Sequence, residues 1–157
     1  MVKDSLKKQI VEVFSASGRR VESRSLIRGA SIEAQRIKAL FFDLGLDRVD
    51  SKHLLAYDEL YDLSALPAFL SREGLFAFLP KLLLIFVDDS DGVFIALAES
   101  LLLKIVKNDD VFSVRGLSLE QRKVLVEVFR FLQKQYSGDD RFVILAGRAL
   151  AVLREVP

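Results

Sequence analysis

The chain predicts an all-α fold, a single domain over residues 1–157 built as an irregular bundle of six or seven helices. Three observations carry that expectation. Apolar residues recur at helical spacing along almost every segment, and no pair of segments alternates convincingly as strands would. Residues that favour helix caps, Ser31, Asp50, Ser71 and Ser118, each stand just before such a run. A hydrophobic fraction of 51% beside 29% charge in 157 residues fits one compact core of ordinary size.

The elements follow in order. Leu6, Ile10, Val13 and Phe14 share one helical face while Lys3, Lys7, Lys8 and Glu12 lie off it, which predicts a first helix over residues 4–16. Ser17-Gly18-Arg19-Arg20 ends it, and the stretch to Ala30 lacks a clean period, so it reads as a long, partly irregular connection. Ser31 caps a second helix over 32–44, with Glu33 in its first turn, a buried stripe of Ile37, Leu40, Phe41 and Leu44, and Gly45 as its stop. Asp50 or Ser51 caps a third, in which Leu54, Tyr57 or Asp58, and Tyr61 recur to about Asp62. Pro67 marks a short turn or a single-turn helix.

Ser71 then caps a fourth helix over 72–87, the densest apolar stretch of the chain, with Pro80 inside it and a kink expected near 76–80, because proline lacks an amide hydrogen and crowds the preceding turn. The turn Asp88-Asp-Ser-Asp-Gly92 leads to a fifth helix over 93–107, with Asp91 as its expected cap. Ser118-Leu-Glu-Gln121 is a capping-box signature that opens a sixth helix, in which Val124, Val128, Phe131 and Leu132 share a face until about Tyr136. Asp139 or Asp140 caps a seventh, with Val143, Leu150 and Leu153 in its core. Pro80 and the long first connection make the bundle irregular.

Composition narrows the function. Lys and Arg total 23 against 22 for Asp and Glu, a net charge of +1, so no global field would hold nucleic acid or an anionic membrane. Without cysteine there is no disulfide, thiolate nucleophile or cysteine metal site. The first ten residues carry the charges of a helix and no apolar block of secretory type, which places the expected location in the cytoplasm. Lys81 interrupts the run Leu75 to Val87, and Glu99 and Lys104 interrupt Val93 to Val106, so both read as core helices and not as membrane spans.

Phe69-Leu70-Ser71, followed by Phe76, Phe78-Leu79-Pro80 and Leu82-Leu83, forms one block; Leu117-Ser118 with Glu120-Gln121 and Phe131-Leu132 forms another. This pattern resembles an uncharacterised bacterial family of small all-helical proteins with a domain of unknown function, whose members show a "fLs…f.fLP.yL" block, a variable middle and an "LT.EQ…v..fL" block. A weaker match is Glu33-Ala34 with Phe41 or Phe42, upstream of Leu54. The resemblance spans Ser31 to Tyr136, roughly two thirds of the chain. Such proteins often carry a tryptophan in the region occupied here by Leu44 to Val49, and this chain has none. The resemblance implies a helical fold and a bacterial source. It brings no activity, so no functional residue carries over.

Motifs for chemistry are sparse. Placing Gly92 at the glycine of a calcium loop puts Val87 where the first acidic ligand belongs and Ala98 where the bidentate glutamate belongs, so the turn reads as helix punctuation. The single histidine, His53, stands near Asp50, Asp58 and Glu59 without a repeated ligand face, which gives no metal site. There is no nucleophile elbow, phosphate loop or dinucleotide fingerprint. Asp43, Asp47, Asp58, Glu59 and Asp62 form a cluster in the chain that acid/base chemistry could use, and helix ends collect such residues without any chemistry. No catalytic residue and no cofactor is assigned.

Two features point outward. Arg19, Arg20, Arg24 and Arg28, relieved only by Glu22, are the one concentrated basic stretch in the sequence and the expected contact for a protein partner, because a planar guanidinium both pairs and stacks. A solvated loop would have the same composition. Among 12 phenylalanines, Phe69, Phe76, Phe78 and Phe86 read mainly as core, with a groove for a partner helix or an acyl chain as the alternative. The expected function is non-catalytic recognition of another protein, of which an immunity or antitoxin-like role is one version. The alternative is a small enzyme or ligand-binding protein using the acidic cluster or a phenylalanine-lined cavity.

Overall fold

The computed structural model describes residues 1–15, 29, 31–44 and 49–155, with 40–44 and 60 described as backbone only. The all-α expectation is met. In chain order the helices are α1 (Val2–Ser15), α2 (Ile32–Leu44), α3 (Ser51–Leu60), the single-turn α4 (Leu66–Phe69), α5 (Arg72–Asp88), α6 (Ile95–Lys107), α7 (Leu119–Gln135) and α8 (Asp140–Glu155). Short 3-10 turns, Leu63–Ala65 and Val114–Gly116, precede α4 and α7.

The core is organised around α5. Gly74, Leu75, Phe78, Leu79, Leu82, Leu83, Phe86 and Val87 are all buried, which leaves this helix apolar on more than one face, as a helix enclosed by others must be. Its neighbours are α1, which buries Leu6, Ile10 and Phe14 along one stripe, and α7, which buries Val124, Leu125, Val128, Phe129 and Leu132. The helix runs unbroken through Pro80, which has no amide hydrogen to give the Phe76 carbonyl one turn earlier. Phe76 is half-buried and stacks on the fully buried Phe112 at 5.4 Å between centroids. A second packed layer forms where α8 lies on α6 and α7, through Phe142, Leu145, Ala146, Ala149, Leu150 and Leu153.

Caps set the boundaries as the sequence expects, with one exception. The Ser31 hydroxyl accepts from the Ala34 amide at 3.1 Å, the Ser71 hydroxyl from Gly74 at 3.0 Å, and Asp139 from Phe142 at 3.0 Å. The Ser118 hydroxyl accepts from the Gln121 amide at 3.1 Å while the Gln121 side chain accepts from the Ser118 amide at 2.9 Å, completing the capping box. Asp91, however, does not cap α6. The Asp89 carboxylate accepts from Val93 at 3.0 Å and Phe94 at 2.7 Å, because α6 begins at Ile95 and its leading amides face back to the residue that closes α5. Val143 is only half-buried, since a start at Asp140 brings Phe142 and Leu145 to the core face instead. The stop at Gly45 lies outside the described residues, and the 17–30 connection does so apart from Gly29.

Candidate functional site

Several acidic residues, Asp50, Asp58, Asp62, Asp88 and Asp89 among them, are engaged in local structure. Lys7 Nζ lies 2.8 Å from Asp88 Oδ1, and Lys3 Nζ donates to Ser90 Oγ at 2.6 Å, tying the start of α1 to the turn after α5. Contact with Asp88 raises the Lys7 pKa. The Asp89 carbonyl accepts from Gln135 Nε2 at 2.8 Å and from the Tyr136 hydroxyl at 2.9 Å, while its carboxylate holds the two amides ahead of α6. Burial, reinforced by the Asp89 charge, pushes the Tyr136 phenol up to about 12. Gly92 has φ +73° in this turn, and a Cβ there would stand 3.3 Å from the Tyr136 ring. The turn is thus a clasp between α5, α6 and α7. Among the described residues no group of three His, Asp or Glu side chains is placed to hold a metal ion.

The second acidic cluster behaves in the same way. Asp58 accepts from the Leu63 amide at 3.0 Å, and Asp62 accepts from Ser64 at 3.0 Å, so both organise the passage from α3 into the first 3-10 turn. Glu59 is exposed, and the Asp43 side chain and Asp47 lie outside the described residues. His53 completes a capping box: Asp50 Oδ1 accepts from the Lys52 and His53 amides, and His53 Nδ1 accepts from the Asp50 amide at 3.2 Å. Nδ1 also lies 2.8 Å from Asp50 Oδ1, a spacing that would suit an ion pair. The His53 backbone amide, donating to Asp50 Oδ1, chiefly lowers the Asp50 pKa.

A different surface has the character of a site. Leu119, Arg122, Lys123, Val126, Glu127 and Arg130 follow one another at offsets of three, four, seven, eight and eleven, one continuous face of α7. Leu153 and Arg154, from the last turn of α8, close its far side, and together they line a groove of about 300 Å³. Leu153 is buried and Val126 half-buried, which makes the floor apolar; Leu119, 59% exposed, stands at one end. Four cations line this space against one carboxylate, Glu127. Lys123 pairs with Glu120 at 3.0 Å on the helix surface. Among the described residues, neither Arg130 nor Arg154 has an ion-pair partner.

This groove adds a second grouping of positive charge to the stretch the sequence carries at residues 19–28. Arg122, Lys123 and Arg130 are spread over nine positions of sequence, and their patch becomes dense only when Arg154 arrives from another helix. The sequence signal was the recurrence of cations on the half of α7 opposite its buried stripe. Arg19, Arg20, Arg24 and Arg28 themselves lie outside the described residues. Phe78, Phe86, Phe112, Phe129 and Phe142 are the largest fully buried side chains, and no phenylalanine lines the groove. No helix among the described residues is long and apolar enough to cross a membrane. No protein-family model, curated protein or solved structure matches the chain.

Proposed function

We propose that this protein acts without catalysis, by recognising another protein in a bacterial cytoplasm, with an immunity or antitoxin-like role as one version. The observation that carries the proposal is the groove on α7 and α8, where apolar side chains are bordered by four cations, two of which, Arg130 and Arg154, have no ion-pair partner among the described residues. Such a surface offers packing and charge complementarity together, the two properties that give an interface its affinity and its orientation. Of the acidic cluster that acid/base chemistry could have used, Asp58 and Asp62 accept backbone amides, and Glu59 is exposed. The bacterial assignment rests on the resemblance of the Phe69–Leu83 and Leu117–Leu132 blocks to the small helical family.

The proposal is tested by affinity capture on the native chain, followed by rebinding of each captured protein in pure form. A partner that reconstitutes a stoichiometric complex, measured by analytical ultracentrifugation, is the expected result. If no captured protein rebinds, and a small molecule that copurifies raises the melting temperature instead, the ligand-binding alternative replaces it. A parallel chain with Arg19, Arg20, Arg24 and Arg28 changed to Ser reports whether that segment contributes to the contact.

A further inference from the structure

We infer that the groove between α7 and α8 is the docking site for an acidic segment of the partner protein, a segment that seats an apolar side chain against Val126 and Leu153. This deepens the recognition proposal and rests on it. Charge decides the class of occupant. Arg130 comes from α7 and Arg154 from α8, and neither has an ion pair among the described residues; Lys123, which pairs with Glu120, and Arg122 line the same groove towards the start of α7. An Asp or Glu side chain entering the groove can take bidentate contacts from the guanidinium groups of Arg130 and Arg154.

Shape decides the rest. From Leu119 to Arg130 the α7 face is about 16 Å long at the rise of an α-helix, enough for a short peptide segment and too short for the long phosphate track of a nucleic acid. The floor is apolar, and the exposed Leu119 offers further apolar area at the mouth. A phosphate backbone makes no use of such a floor. Glu127, on the same face, would repel a uniformly anionic chain and is tolerated by a segment whose acids alternate with neutral residues. A net charge of +1 over the whole chain limits the attraction to this local surface.

A display library of random peptides of about 12 residues, long enough to cover that face even when helical, selected on the immobilised full chain, provides the test. Enriched peptides are expected to carry several Asp or Glu around at least one large apolar residue. Their affinity should fall as salt rises from about 0.05 M to about 0.5 M. It should fall at least about tenfold when Arg130→Glu and Arg154→Glu are combined, and a peptide with its acids changed to Lys should bind that variant better than the native chain. The far-ultraviolet circular dichroism and melting temperature of each variant check that it is folded, and Arg130→Gln with Arg154→Gln serves if the reversal is not. Three results overturn the inference: no enrichment, enrichment without an acidic bias, or equal binding to native chain and folded variant. A pure partner that rebinds regardless of the groove variant removes the docking site and leaves protein recognition intact; absence of any rebinding partner removes recognition itself.

Discussion

The acidic turn at Asp88 to Gly92 and the basic groove on α7 and α8 are both dense in charge, and they serve opposite ends. In the turn the charged contacts are made within the chain: Asp88 meets Lys7, Asp89 holds two amides, and its carbonyl holds Gln135 and Tyr136. In the groove Arg130 and Arg154 have no ion pair among the described residues, and half-buried Val126 leaves apolar surface beside them. Charge that satisfies the chain's own amides fixes the fold, because a buried donor left unmet costs more than the bond itself returns. Charge left over on an apolar ledge is available to something else.

Substitutions should separate the two regions by what they damage. The largest stability loss is expected from Tyr136→Ala, which removes the hydroxyl bond to the Asp89 carbonyl and the ring edge packed on Phe142 at 5.2 Å. A loss of about 2–3 kcal/mol in a urea titration is the expected outcome, and an unchanged midpoint would show that the clasp contributes nothing.

The same side chain sets an alkaline limit. With its pKa at about 12 in the folded chain, against the ordinary 10.0, the neutral phenol stabilises the fold fully below pH 10, and that contribution is lost as pH rises towards 12. Tyr136→Phe should therefore unfold less steeply than the native chain across that window, as followed by circular dichroism. Asp109 supplies the acid counterpart. Contact with Lys107 and bonds from the Phe112 and Val111 amides hold its carboxyl at about 2, so its contribution disappears as pH falls from about 4 towards 2, and Asp109→Asn should blunt that loss.

Gly92→Ala comes next. It places a methyl group in left-handed backbone, 3.3 Å from the Tyr136 ring, and should cost about 1–2 kcal/mol by the same titration. Ser118→Ala removes the cap at the groove end of α7 and should cost about 1 kcal/mol. An equal midpoint in that variant would mean that Gln121 alone secures the helix start. Smallest of all, Arg130→Gln with Arg154→Gln should alter stability by less than about 0.5 kcal/mol, since both side chains are exposed and neither has an ion pair among the described residues. A larger loss would turn the groove back into a structural feature and dissolve the contrast with the turn.

Where a helix starts was legible in the sequence because a cap and the amides it serves lie within three or four residues. Ser31, Asp50, Ser71, Ser118 and Asp139 all cap as their types predict. Leu6, Ile10 and Phe14, like Val124, Val128 and Leu132, show their burial by spacing alone. The exchange of Asp91 for Asp89 marks the limit of that reasoning. Several acids stood within reach, and the choice followed from the closing turn of α5 and from Gln135 and Tyr136, almost fifty residues further along the chain.

The groove lies beyond the same limit. The face of α7 could be read from its period, yet Arg154 and Leu153 join it only through the packing of α8, and no local pattern records which side chains of two helices will share a space. Local hydrogen bonds and periodic burial are properties of neighbouring residues, so the sequence by itself determined the all-α class, most caps and the buried stripes. Which charges would be satisfied within the fold and which would be left facing solvent depended on contacts between distant segments, and only the tertiary structure decided it.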